Sequence, residues 1–232
     1  MISVNNLTIK YGPKIVLNNL NVIFENHLTH GLVGLNGSGK TTFLNGLYGL
    51  LNIASGTILY NDSPLSKKDI SYLQAENFFY GSITGRDYLD LFMYYNKGYD
   101  YRTLANLFDI PLDELVDTYS TGMRKKLAII ASLIPDKDIL ILDEPFNGLD
   151  IEALFFLTEI IKNLKQQGKT VIVTSHIMDT LTPICNEIHY LHNGVIENTY
   201  QKEKFDSLKF LFKENLAKKY EEKMNPSVNC HP

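Results

Sequence analysis

The chain has 232 residues, 44% of them hydrophobic, and a formal charge of -4. That length and apolar content suit one compact α/β domain, or a core with a modest subdomain, that folds without disulfide staples. The mildly acidic balance argues against nucleic acid as a partner, which usually needs a strongly basic surface, and no apolar run approaches the roughly 18 to 20 residues of a membrane helix.

From residue 2 to about 24, apolar and polar positions alternate through "ISVNNLTIKYG" and "KIVLNNLNVIFEN", which predicts half-buried strands joined at Gly12 and Pro13 as an antiparallel edge. The first residues lack the charged and apolar regions of a secretory leader. "HGLVGL" reads as a buried strand, followed by a glycine loop and a helix from about 40 to 51; "SGTILYN" and "DISYLQ" supply two further strands. Between 77 and 135 the period turns helical, in "TGRDYLDLFMYYN" with Tyr88, Leu91 and Phe92 on one face, in "YRTLANLF", and after Ser120. This predicts an inserted helical subdomain into which the aromatic run Tyr88, Phe92, Tyr94 and Tyr95 packs.

Strand and helix alternate from 136 to 200, with "DILIL", a helix at 151–167, "TVIVTS", a short helix near 177–184, and a hairpin "EIHYLHNGVIENT" turning on Asn193 and Gly194. Such alternation implies a parallel sheet with helices on its faces. The expected organisation is therefore a core in two parts, 1–76 and 136–200, with an antiparallel β subdomain in the first part and the helical insert at 77–135 between them. The tail, 201–232, begins as an amphipathic helix with Phe205, Leu208, Phe212, Leu216 and Tyr220 at helical spacing, and its end, "NPSVNCHP", is expected to be disordered. Cys185 and Cys230 show no metal-type spacing and fit a reduced, cytosolic protein.

Two motifs carry chemistry. "GLNGSGKTT" meets the pattern G-x-x-x-x-G-K-[ST] with Gly34, Gly39, Lys40 and Thr41, directly between an apolar strand and a helix. Its glycines let the backbone N–H groups of Asn36, Gly37, Ser38 and Thr42 and their neighbours surround a phosphate chain. Lys40 reaches the β and γ phosphates, and the Thr41 hydroxyl binds Mg²⁺. The second motif is "DILILDEP", a buried strand that delivers Asp143 and Glu144 at its carboxyl end, where open α/β sheets bind ligands. Asp143 is placed to hold magnesium, and Glu144 to polarise a water against the γ phosphate.

With these motifs in this order, residues 2 to 200 resemble the ATP-binding-cassette (ABC) ATPases, the nucleotide-hydrolysing subunits of ABC transporters. The resemblance implies a P-loop NTPase core with a mixed sheet, ATP and Mg²⁺ as ligands, and further site residues. Tyr11 corresponds to the aromatic that stacks on adenine, Gln74 to the glutamine that contacts magnesium and water, Asp150 in "NGLD" to the D-loop, and His176 in "TSH" to the switch histidine at the γ phosphate. "YSTGM" at 119–123 stands where the family usually has LSGGQ: Ser120 and Gly122 are retained, while Tyr119, Thr121 and Met123 replace Leu, Gly and Gln. In the family this signature closes the nucleotide pocket of the opposite copy, which implies a homodimer that clamps a separate membrane permease from the cytoplasmic side.

The STGM variant and the short insert, 46 positions from Gln74 to Ser120, resemble exporter subunits of the multidrug and peptide-resistance type. The expected surface for the permease is "ENFFYGSITG". The alternative is a soluble ABC ATPase, such as one for iron-sulfur cluster assembly. The basic run Arg124, Lys125 and Lys126 behind the signature has two readings: it is offset by an arriving phosphate, or its three side chains are simply solvated.

Overall fold

In the computed structural model, which describes residues 1–224, the first two strands are longer than any others. These are β1 (Ile2–Tyr11) and β2 (Lys14–Phe24), paired antiparallel. Their alternation is not continuous. Ile2 and Val4 are buried, and then Leu7 and Ile9; the phase slips at Asn5 and Asn6, where the register shifts and Asn6 takes a left-handed φ of 51°. β2 slips likewise at Asn19, φ 49°. Asparagine tolerates that conformation, and each bulge returns the following leucine to the buried face.

β3 (Thr29–Val33) is wholly buried and leads through the glycine loop into α1 (Lys40–Leu47). The helix ends earlier than the expected residue 51, because Gly49 turns left-handed at φ 74°. β4 (Ser55–Tyr60) and the two-residue β5 (Ser63–Pro64) return to β1, making a four-stranded antiparallel sheet ordered β2-β1-β4-β5. β6 (Ile70–Leu73) crosses to the central sheet.

α2 (Gly85–Phe92), α3 (Tyr101–Leu107) and α4 (Thr121–Leu133) follow, and their apolar faces gather around Leu89, Tyr101, Ala105, Phe108, Leu127 and Ile130. Thr84 caps α2 reciprocally with Asp87, and Ser120 caps α4 through the Met123 N–H. The expected face of α2 needs correction: Leu91 is 53% exposed, and Leu89 is the buried leucine. On so short a helix, Leu89 beside Tyr88 faces α4 while Leu91 lies outside the packed stripe. Tyr88 and Phe92 do pack together, with ring centroids 5.4 Å apart and the rings tilted by 56°. Tyr94 and Tyr95, which fall after the helix has ended, are exposed instead of packed.

β7 (Ile139–Leu142), α5 (Ile151–Gln166), β8 (Thr170–Thr174), α6 (Met178–Leu181), β9 (Glu187–His192), β10 (Val195–Gln201) and α7 (Phe205–Met224) complete the described chain. The central sheet is ordered β10-β9-β3-β8-β7-β6; all its pairings are parallel except β9 with β10. Even in its wholly apolar strands the period of two sorts the side chains. Ile139, Ile141 and Ile172 face the antiparallel sheet and α1, whereas Leu140, Leu142, Val171 and Val173 face α5 and α7.

The β9–β10 turn has positive φ at Asn193 (47°) and Gly194 (79°), as a type I′ turn requires. Its Gly194 carbonyl accepts the Asn18 N–H at 3.1 Å, which ties the two sheets together at β2. α7 docks through Phe205, Leu208 and Phe212, but Leu216 and Tyr220 on the same predicted face are exposed, because the helix runs past the core it packs on. The expected disordered end and Cys230 lie outside the described residues.

Candidate active site

The glycine loop connects β3 to α1 around a cavity of about 390 Å³ lined by Val16, Asn36, Gly37, Gly39, Lys40, Thr41, Thr42 and Glu144. Gly37 and Gly39 hold φ at 87° and 108°, which bends the backbone as side-chain-bearing residues rarely can. Gly34 is required for a different reason. A Cβ there would lie 2.3 Å from the Leu191 carbonyl oxygen and 2.5 Å from Ser38 Oγ, so this glycine seats the loop against β9 and does not line the cavity. Ser38 likewise turns its hydroxyl inward, where it is buried without a hydrogen-bond partner. Lys40 is buried and donates through Nζ to the Gly34 carbonyl at 2.8 Å. Desolvation pushes its pKa down, against the opposing pull of Glu144 and Asp143.

The acidic pair stands opposite, at the carboxyl end of β7. Asp143 is fully buried; its Oδ2 accepts from Thr41 Oγ1 at 2.8 Å and its Oδ1 from Thr174 Oγ1 at 2.6 Å. Glu144 has a left-handed φ of 47°, an uncommon and costly conformation for this residue type. Its N–H donates to Thr174 Oγ1 at 2.8 Å, and its Oε2 lies 3.0 Å from His176 Nδ1. Thr174 is thus the hub that joins the two carboxylate residues, a role the motifs did not assign. The strand register predicts it: β7 pairs with β8 up to Leu142 and Val173, so the next residues, Asp143 and Thr174, face each other.

The hard oxygens in this corner suit magnesium. Two neighbouring ligands of an octahedral Mg²⁺ lie about 2.9 Å apart, and Thr41 Oγ1 and Asp143 Oδ2 are separated by 2.8 Å. Gln74 follows β6, whose Leu73 carbonyl accepts the Asp143 N–H, so it stands beside the acidic corner and is exposed. Tyr11 is exposed at the end of β1, cross-strand from Lys14 and near the edge where Val16 enters the cavity, but it is not itself a lining residue.

Ser120, Gly122 and Asp150 are not brought to this cavity either. The start of α4 packs on the chain's own 147–150 segment: a Cβ on Gly122 would lie 3.0 Å from the Gly148 carbonyl oxygen. Asp150 caps α5 through the Ala153 N–H at 2.8 Å and pairs with Lys126 at 2.7 Å. The reading of three simply solvated side chains does not hold. Arg124 donates to the carbonyls of Val116 and Asp117, Lys125 is buried, and Lys126 holds Asp150. Burial lowers the Lys125 pKa while Asp143 and Glu144 oppose that shift, so its ammonium group shares the field of the acidic corner. Met123, in place of glutamine, packs its side chain on the helical core beside Tyr119, whose hydroxyl donates to the Pro111 carbonyl at 2.6 Å.

A strand, glycine loop and helix facing a strand-end Asp-Glu pair across a mixed sheet define a P-loop nucleoside triphosphatase. A family model described as ABC transporter matches residues 17–147, more than half of the chain, and the chain belongs to that family. It is 30% identical over 209 residues to the lantibiotic transport ATP-binding protein SrtF of Streptococcus pyogenes, covering 86% of this chain and 91% of the relative. It is also 30% identical over 212 residues to the Nod factor export ATP-binding protein I of Cupriavidus metallidurans, covering 84% and 69%. A solved ATP binding subunit of an ABC transporter superposes with a TM-score of 0.80 at 25% identity, over 87% of this chain and 90% of that one. The protein is accordingly an ATP-binding, ATP-hydrolysing subunit coupled to transport, and the soluble iron-sulfur alternative is not supported.

Proposed function

We propose that two copies of this chain close on two ATP molecules and drive export through a separate integral membrane permease. The observation that carries this reading is the separation inside one copy: the P-loop cavity has no residue from the signature, and Ser120 and Gly122 sit at a capped helix start against their own 147–150 segment. A helix N-terminus with free N–H groups is a phosphate site, and a second copy supplies the phosphate.

In that arrangement Asn36 to Thr42 and Lys40 hold the phosphate chain, Gly34 seats the loop, and Tyr11 stacks on the adenine. Ser120 and Gly122 of the opposite copy close the pocket, with Asp150 setting their position through Lys126. Thr41, Asp143 and Gln74 would hold Mg²⁺, which supplies neutralisation of charge on the β and γ phosphates. Glu144 accepts the proton of the attacking water, and His176, bonded to its Oε2, fixes the carboxylate and contacts the γ phosphate.

No helix among the described residues is long and apolar enough to cross a membrane; in this reading the protein acts peripherally, on the cytoplasmic face, through its permease. The permease surface is the stretch after Gln74, where Phe78 (74% exposed) and Tyr80 (55%) form an edge-to-face pair turned away from the core. The names of the lantibiotic transport and Nod factor export relatives support the direction of transport. The functional units run 1–76 and 136–200 for the core, 77–135 for the helical insert and 201–232 for the tail.

The test mixes subunits carrying Lys40→Ala with subunits carrying Ser120→Arg. Each homodimer has two broken sites, whereas the heterodimer has one intact composite site, so ATP hydrolysis should return on mixing. Absence of activity in mixtures whose heterodimers are demonstrated by cross-linking would overturn the reading.

A further inference from the structure

A second cluster of titratable side chains lies away from the nucleotide cavity, on the adjacent strands β3 and β9. His30 and His189 are both buried, and their rings stack with His30 Nδ1 3.2 Å from His189 Nε2. Glu187 Oε2 lies 3.4 Å from the same His30 nitrogen, and the three groups offer ligand atoms all within 4.8 Å of one another. The parallel register explains the convergence: His30 pairs with Glu187 and Leu32 with His189, which places all three residues on one face.

The outer atom of every member is already engaged. His30 Nε2 is 2.9 Å from the Glu25 carbonyl, and because a carbonyl only accepts, that nitrogen carries the proton. His189 Nδ1 is 2.9 Å from Thr199 Oγ1, and Glu187 Oε1 accepts from Gln201 Nε2 at 2.6 Å. Outer hydrogen bonds of this kind fix ring orientation and tautomer around a metal. Phe24 closes the apolar side, edge-on to both imidazoles.

With the outer atoms satisfied, two imidazole nitrogens and a carboxylate oxygen converge on one another; without a metal, a proton on His189 Nε2 donated to His30 Nδ1 holds the rings together, and a metal ion would displace it. We propose that His30, His189 and Glu187 form a binding site for Zn²⁺. Two ligands of a tetrahedral Zn²⁺ at ordinary bond lengths are about 3.3 Å apart, against the 3.2 and 3.4 Å found here. Imidazole and carboxylate are among the ligands zinc takes. The Glu187 side chain is 15% exposed, and that opening would admit the ion together with a water as its fourth ligand. The ion would pin the start of the P-loop strand to β9, four residues before Gly34.

The test uses the full chain without an affinity tag, in excess Mg²⁺ so that hard-oxygen sites are occupied. After equilibration with micromolar Zn²⁺ and gel filtration, metal analysis should find one equivalent per chain, and Co²⁺ in its place should give the visible absorption of a tetrahedral site. Glu187→Gln, a near-isosteric change at a side chain 15% exposed, should weaken Zn²⁺ at least tenfold. His189→Gln should abolish the Co²⁺ spectrum, while His176→Ala and His192→Ala should leave both readouts unchanged. A proton on His189 Nε2, donated to His30 Nδ1, is the competing occupant. Less than half an equivalent of Zn²⁺ in the unaltered chain would overturn the proposal in favour of that proton. Unchanged affinity in Glu187→Gln would overturn it whether or not His189→Gln folds.

Discussion

Replacing Thr174 with Val removes one hydroxyl and keeps the shape of the side chain. In the native protein that hydroxyl accepts the Glu144 N–H at 2.8 Å and donates to Asp143 Oδ1 at 2.6 Å, with Thr174 and Asp143 both fully buried. A hydrogen bond to a charged group contributes about 1.5 to 3 kcal/mol, and a buried amide left without a partner costs about 1 to 3 kcal/mol. The new methyl group offsets roughly 0.8 kcal/mol, so a net loss of about 2 to 5 kcal/mol is expected in urea unfolding of the nucleotide-free chain. Activity should suffer separately. Glu144 is held at φ 47°, and its N–H bond to Thr174 is a restraint that keeps it there. Once released, the carboxylate leaves its position, and a displacement of 1 Å costs on the order of 100-fold in rate. Thr174→Ser retains the hydroxyl and loses only a methyl group, about 1 kcal/mol, and should remain within tenfold of the parent in steady-state ATP hydrolysis. If Thr174→Val matches Thr174→Ser in both measurements, the bridging role of Thr174 is wrong.

Glu144→Gln leaves the cradle intact but removes the proton acceptor, so hydrolysis should fall by about 100-fold or more while ATP-dependent dimers accumulate in gel filtration; unimpaired turnover would remove Glu144 from that role. Gly34→Ala drives a Cβ to 2.3 Å from the Leu191 carbonyl oxygen, and overpacking of this kind costs about 1 to 3 kcal/mol. It should weaken binding of a fluorescent ATP analogue although Gly34 does not line the cavity; unaltered affinity would show that the loop does not need this seat. Asp150→Ala loses both the cap on Ala153 and the pair with Lys126, whereas Asp150→Asn keeps the cap. The first should cost about 1 to 2 kcal/mol and the second less than about 1 kcal/mol. Equal losses would mean that the ion pair, not the cap, holds this corner.

The strand order of the site was legible because buried parallel strands are short apolar runs that end in polar residues, and "ILIL" and "TVIVT" end at Asp143 and Thr174. What those residues do to each other was not legible from either strand alone, since it depends on which strands are neighbours and in which register. The bulges carried a signal that was not used. Asn5-Asn6 and Asn18-Asn19 interrupt the alternation of both long strands, and in each pair the second asparagine takes the left-handed conformation. Leu91 and Leu89 mark a different limit. An eight-residue helix carries too few turns for its pattern to choose between adjacent stripes, and packing against α4 decides. The tail failed for a related reason: Leu216 and Tyr220 continue a regular apolar period, but the surface they would cover ends at Phe212.

The basic helix start behind the signature shows how local requirements and those of the proposed dimer can share one segment. Three cations at a helix N-terminus oppose the macrodipole, and sequence alone left two ways to offset them, an arriving phosphate or plain solvation. The structure removes the need for either within a single copy: Arg124 reaches back to two carbonyls, Lys126 pairs with Asp150, and Lys125 lies in the field of Asp143 and Glu144. Because the side chains are committed to their own chain, the Ser120 hydroxyl, the Gly122 backbone and the first N–H groups of α4 are what remains to meet an anion from outside. Met123 fits the same division, since its side chain belongs to the helical core and only its backbone stays at the helix start. The replacement of glutamine therefore removes a side-chain contact without removing the dipole or the cap. On this reasoning, Met123→Gln should change the stability of the helical insert more than it changes the affinity of the dimer for ATP.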